Sequence, residues 1–296
     1  MLGYNVCFLL SLQKHLSNME YITIEKAVND IKVLIENSIR EGGVEAKNNL
    51  IRTQVPINKL HNAVKAEFIA NNVNPTLINP PYGTSNGEIK LSGFFKTKNQ
   101  DICIFPNDIF SKIETLNFDG ILKGKKDPYG FNLTEQTLSV NVRSQLSSVA
   151  KNFDTLYERT FAESLNLHLR CEKMVLGEFY MIPVYQYDDE LAKEKKVAFK
   201  ANHLIQKHIE KYLYSFGAIN QRDSIIGEEY KYERVCLLVV DFSKDIPKIY
   251  NTDNELKEDG LLPENSSASI TNLNFPSFTT SLLSIYAQRF GQHKFK

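Results

Sequence analysis

The sequence predicts a mixed α/β protein with one main sheet flanked by helices. Three observations predict it. Apolar side chains recur at helical spacing in several separate segments, among them Ile22–Arg40 and Lys151–Leu169. The stretch Thr137–Ser144 alternates, with Leu138, Val140 and Val142 on one side and Ser139, Asn141 and Arg143 on the other. Arg234–Phe242 (RVCLLVVDF) is a near-continuous apolar run, as expected of a central strand covered on both faces.

Taken in order, Ile22–Arg40 carries Ile24, Ala27, Ile31, Val33, Leu34 and Ile39, and Gly42-Gly43 is expected to end that helix. A second helix fits Ile57–Asn71 through Leu60, Val64, Phe68 and Ile69, with Asn74-Pro75 breaking it. Asn79-Pro80-Pro81-Tyr82-Gly83 is a rigid turn. Glu88–Phe95 and Gln100–Pro106 then read as strands, with the tightest point at Asn99 and Gln100. The helix Lys151–Leu169 is expected to pack through Phe153, Leu156, Tyr157, Phe161, Leu165 and Leu169. Met174–Tyr187 is a long aromatic and β-branched strand, interruptible at Pro183. Ala201–Phe216 and Phe278–Phe290 complete the helices.

With 296 residues, 42% hydrophobic and 24% charged, the chain has enough apolar surface for one large core or two modest ones, and disorder is not expected. Lys plus Arg and Asp plus Glu are 35 each, so net charge gives a nucleic-acid binder no support and leaves only a local basic surface. Cys7, Cys103, Cys171 and Cys236 lie far apart without a CxxC pair. They read as reduced thiols, which suits a cytoplasmic protein. The apolar run Val6–Leu12 lacks a basic flank and a small-residue cleavage site, so no signal peptide is expected. No stretch approaches the ~20 apolar residues of a membrane span. Met19 opens a natural-looking start, MEYITIEKAV, so Met1 or Met19 is the true beginning, with the residues before Met19 over-called or a poorly ordered arm. Histidines show no zinc spacing, and His203 and His208 sit on a polar helix. No GxSxG, P-loop or dinucleotide fingerprint is present.

Hydrolysis of a phosphodiester needs carboxylates to hold Mg²⁺, a positioned water and a cation near the developing charge. Three segments can converge on such a site. Asp101 heads the strand DICIFP after Lys98-Asn99-Gln100. The polar face of SVNVRSQ comes next. The helix KNFDTLYERTFAESLNLHLR then brings Asp154 and Glu158, four apart on one face, while Glu163 is expected to point elsewhere. This order, GFF…QDICIFP, then a strand ending VRSQ, then a helix with NFxxxxER, resembles restriction endonucleases of the PD-(D/E)xK superfamily. The likeness covers about a third of the chain, Glu88–Tyr187.

The resemblance implies a restriction-endonuclease-like core and a type II, Mg²⁺-dependent endonuclease that cuts both strands of a short specific DNA duplex. In that reading Asp101 is the first acid, and Asn141-Val142-Arg143 fills the acid-x-lysine slot. The slot departs from the family: Asn141 is uncharged, and Arg143 keeps the positive charge but cannot act as a base. The expected metal ligands are therefore Asp101 and Glu158, with Asn141 lending an oxygen and Arg143 stabilising the phosphate. Asp154, Glu178, Lys98 (an amine) and Gln145 (a water-orienting amide) are secondary candidates.

Of the basic clusters, Lys123, Lys125 and Lys126 are the expected DNA contacts, because they lie between the two catalytic segments. The resemblance also implies a homodimer and a cognate DNA methyltransferase in the same system. The expected organisation is an N-terminal helical region at 1–78, the nuclease core at 79–243 and a C-terminal elaboration at 244–296, together one domain. Two alternatives stand beside it. One is a non-catalytic DNA-binding relative of the same fold. The other is an AdoMet-dependent DNA amino-methyltransferase, for which Asn79-Pro80-Pro81-Tyr82 would hold a flipped base, though no Gly-rich cofactor loop accompanies it.

Overall fold

The computed structural model describes residues 20–84, 87–147, 149 and 151–296. The expectations about Cys7, the Val6–Leu12 run and the start at Met1 or Met19 lie outside the described residues.

The helical segment α1 (Ile24–Arg52) opens the fold, with the Thr23 hydroxyl capping it by accepting from the Lys26 amide at 3.2 Å. Its buried positions, Ile24, Ala27, Val28, Ile31, Ile35 and Ile39, recur three and four apart. Gly42-Gly43 does not end the helix as expected. The chain kinks at Gly43 (φ 67, ψ −152) and resumes to Arg52. Only glycine adopts that backbone cheaply, and a Cβ there would lie 2.9 Å from the Ala192 carbonyl oxygen. Helix α2 (Gln54–Ala70) starts earlier than the apolar pattern indicates, because the Thr53 hydroxyl accepts from the Val55 amide.

Strands β1 (Ile78–Asn79), the hairpin β2 (Ile89–Ser92) and β3 (Thr97–Gln100), and β4 (Ile102–Ile104) come next. A small hairpin, β5 (Glu114–Thr115) and β6 (Lys126–Asp127), and a short helix α3 (Gly130–Glu135) lead into β7 (Leu138–Ser144). Helix α4 (Phe153–His168) crosses to β8 (Val175–Pro183), and α5 (Asp189–Lys193) and α6 (Ile205–Ala218) cross to β9 (Arg234–Asp241). Strand β10 (Lys248–Tyr250) and helices α7 (Asp253–Glu258) and α8 (Phe278–Phe290) close the chain.

The central sheet has six strands in the order β1-β4-β7-β8-β9-β10. Strands β7, β8 and β9 run parallel, and the pairs on either side of them are antiparallel. The fold is therefore mixed α/β with helices on both faces, as the sequence predicts. The parallel strands are covered on both sides, which explains why all nine residues of β8 are buried. Leu138, Val140 and Val142 face the core shared with α1, α2 and α8, and that core runs from Ile24 to Phe295. The opposite face packs Cys103, Leu176, Tyr180, Tyr212 and Phe216 beneath α4 and α6. Helix α8 comes so close to the sheet that a Cβ on Gly177 would lie 2.8 Å from Leu282 Cδ1.

The hairpin differs from the sequence reading. Its turn is at Gly93–Lys96, and Asn99 and Gln100 belong to β3. The cause lies on α4: Asn166 Oδ1 accepts from the Phe95 and Lys96 amides at 2.7 and 3.0 Å, and its Nδ2 donates to the Lys96 carbonyl at 3.0 Å. Glu233, at the head of β9, is wholly buried. It is compensated from four directions, by Arg222 (3.3 Å), Arg289 on α8 (2.7 Å), His168 (3.4 Å) and the Leu176 amide (2.7 Å). Burial works against its ionisation, but these partners outweigh it and bring the carboxyl down to about 2. Cys103, Cys171 and Cys236 are free and buried. Among the described residues no helix is long and apolar enough to cross a membrane.

Candidate functional site

Asp101 stands where the chain leaves the β2–β3 hairpin and enters the central sheet. Strand β4 pairs with β7 through Ile102↔Val140, so one step further along the register Asp101 comes beside Asn141. There the carboxylate takes over the ladder: Asp101 Oδ2 accepts from the Val142 amide at 2.7 Å. The His61 imidazole, from α2, lines the same cleft as Val142. The edge of β7 beyond β4 is thus held by the acid.

The odd-numbered side chains of β7 point under α4. Asn141 lies level with Glu178 on β8. The Arg143 guanidinium is clamped: one nitrogen meets Glu178 Oε1 and Thr160 Oγ1, the other Glu163 Oε2 at 2.6 Å. Lys98 Nζ also reaches Glu163 Oε2, at 2.9 Å. Gln100 donates to Glu163 Oε1 at 3.3 Å and accepts from Ser139 at 2.7 Å. Hairpin, strand and helix are therefore tied by one polar network beneath α4.

Three acids, Asp101, Glu163 and Glu178, share this region with two cations, Lys98 and Arg143. Burial pushes Asp101 up to about 6, against the Val142 hydrogen bond and the field of Arg143. Burial likewise pushes Glu178 up to about 8 despite Arg143. On α2, burial brings Lys65 down to about 8, and burial with the nearby Lys65 charge brings His61 down to about 4. Asp101, Arg143, His61, Ser144, Leu156 and Arg159 line a cleft of about 350 Å³.

The structure thus brings together Asp101, Asn141, Arg143, Glu178 and Lys98 from the sequence candidates. It does not bring Glu158, which is exposed on α4. Glu163, expected to point elsewhere, is the helix's acid. Asp154 is also exposed and pairs with Lys211 at 2.8 Å. Gln145 has its amide taken up by protein: Oε1 accepts from the Tyr180 and Tyr212 hydroxyls (2.8 and 2.7 Å) and Nε2 donates to the Val149 carbonyl (3.0 Å). It braces the sheet against α6 instead of holding a water. Lys123, Lys125 and Lys126 are exposed around the β5–β6 hairpin and do not line the Asp101 cleft.

The misplaced acid has a physical cause. The buried stripe of α4 is mostly polar, formed by Thr160, Glu163, Ser164, Asn166 and His168 with Leu167. Apolar periodicity orients such a helix wrongly. A run of polar residues at three- and four-residue spacing was the available signal. His61 and Lys65 share such a spacing on α2, where the flanking positions read as ordinary core.

Among the described residues no three His, Cys, Asp or Glu side chains converge as a metal-binding group. A Mg²⁺ ion needs fewer, since it commonly sits on one or two carboxylates, waters and a substrate phosphate. Two observations fit that demand. Asp101 lines the cleft, and Glu178 Oε2, one residue across from Asn141, is a buried carboxylate oxygen without a partner. The pairing of Asp101 with Glu158 does not fit. Comparison with models of known protein families, with curated proteins and with solved structures gives no match.

Proposed function

We propose that the chain is a Mg²⁺-dependent endonuclease of the type II restriction kind, hydrolysing both strands of a short specific DNA duplex. One observation carries the reading. The Asp101 carboxylate, at a sheet edge and in a cleft, stands beside Asn141-Val142-Arg143 on the adjacent antiparallel strand, followed by a helix and a parallel strand. Asp101 and Asn141 would hold the ion, with Glu178 as the further carboxylate. Bound Mg²⁺ supplies Lewis acidity toward a phosphate oxygen and the attacking water.

The chain's own residues do the rest. Asp101, held by the Val142 amide, presents its carboxylate to the cleft in a fixed orientation. Arg143 gives the site a fixed positive charge beside the phosphate, while Glu163 and Glu178 fix its plane. Arg159, exposed at the rim of the cleft, adds a second guanidinium. A homodimer in the cytoplasm, with a partner DNA methyltransferase, belongs to the same proposal.

A second reading has its own support. Arg143 bonds two buried acids and Thr160, as in a structural ion cluster, which favours a DNA-binding relative without cleavage. The methyltransferase reading has less support, because the groups that would hold a flipped base bond to the protein itself. The Pro81 carbonyl accepts from Lys65 and from the Thr84 hydroxyl, and the Tyr82 hydroxyl accepts from the Ile22 amide at 2.9 Å.

Plasmid DNA incubated with the protein and Mg²⁺ separates the two surviving readings. Discrete fragments from the wild type, and none from Asp101→Ala, are expected. Intact plasmid with tight band-shifting by both proteins would establish the non-catalytic reading instead.

A further inference from the structure

The kink at Gly43 does more than turn a helix. It sets the Ala192 carbonyl of α5 against the Gly43 backbone and lets Lys47 reach Asp189 across the gap. The second half of α1 and the region around α5 thereby become the two walls of a groove of about 620 Å³, floored by Leu146 and Tyr187. Its charged lining is unequal. Lys47, Arg52, Lys193 and Lys200 face one carboxylate, Asp189. Lys47 and Lys200 both bond Asp189, so together they leave a positive charge over. Lys193 pairs with Glu190 at the rim, and Arg52 is exposed.

The groove adjoins the Asp101 cleft along the α1 wall and along its floor. Ile51 lines both cavities. Arg52 of the groove is followed by Thr53 and Gln54 of the cleft, and Ser144 of the cleft is followed by Leu146 and Ser147 of the groove. Arg159 stands on the cleft side. Cations thus line both the Asp101 cleft and the groove that adjoins it, an arrangement suited to a run of phosphates reaching a reacting position.

We propose that this groove, with Arg52, Lys193 and Lys200 as its phosphate contacts and Lys47 as their buried anchor, seats the DNA backbone next to the cleft. The lysines of the β5–β6 hairpin do not. The inference rests on the nuclease reading of the same site and assigns the surface that binds its substrate.

The test is fluorescence anisotropy of a short mixed-sequence duplex, with Ca²⁺ in place of Mg²⁺, across a salt series. The proteins compared are wild type, Arg52→Ala/Lys193→Ala/Lys200→Ala and Lys123→Ala/Lys125→Ala/Lys126→Ala, each checked for an unchanged circular dichroism spectrum. The groove variant is expected to lose about tenfold or more in affinity, with a salt slope shallower by about 3, since each of the three lost phosphate contacts removes roughly 0.9 from it. The hairpin variant should lose clearly less. A groove variant that binds like wild type, or a hairpin variant that loses as much, overturns the assignment. If the wild type then still cuts plasmid, the nuclease reading survives alone. A wild type that retains no duplex even at low salt overturns both.

Discussion

Asp101 shows how burying one carboxyl costs the fold stability. Its carboxyl is raised by burial to about 6 from an ordinary 3.8. A raised acid favours its protonated form in the native state. The stability it contributes is complete below about pH 3.8 and is lost as pH climbs through about 6. Asp101→Asn retains an oxygen for the Val142 amide and escapes that loss. The variant should therefore match wild type in urea denaturation at pH 4 and exceed it at pH 8 by about 1–3 kcal/mol. Equal stability at both pH values would mean that the carboxyl is not strained. Arg143 illustrates the opposite case. Its guanidinium is held by Glu163 and Glu178, so a cation visible in the sequence is constrained in ways no sequence pattern displays.

At the scale of elements, α1 carries the clearest consequence. The positive φ of Gly43 and the 2.9 Å approach of the Ala192 oxygen both forbid a side chain. Gly43→Ala should lower stability by about 1–3 kcal/mol, read from thermal or urea unfolding. It should also speed tryptic cleavage least in the sheet and most around Lys193, because the walls of the groove part. Elements such as α8 and β9 were legible because their apolar patterns have one meaning: Phe278–Phe290 is a helix with the bounds its sequence predicts. The β2–β3 turn was not legible, because a remote residue, Asn166, decides where it falls. The orientation of α4 failed for a related reason: its inner face is polar, and its partners come from β3, β7 and the turn before β9.

Across the whole molecule, the class of fold follows from local pattern, while the site depends on register between distant strands. Asp101 and Val142 meet only because β4 pairs antiparallel with β7 in one particular frame. No spacing within either segment encodes that frame, so the sequence named both pieces without fixing their third partner. The neutral overall charge concealed the groove for the same reason: its cations come from α1, α5 and the loop after α5, and gather only on folding.

The buried carboxylate at the head of β9 adds a temporal consequence. Arg289 is contributed by the final helix, so a ribosome that has released only the preceding residues holds a central strand with an under-compensated negative charge. A chain stopped after Gln288 should reach the β-sheet composition of the parent yet stay vulnerable to proteases, and Arg289→Met in the full chain should share that vulnerability. Arg289 thus acts as a latch on native packing, engaged only once the helix that carries it has been made.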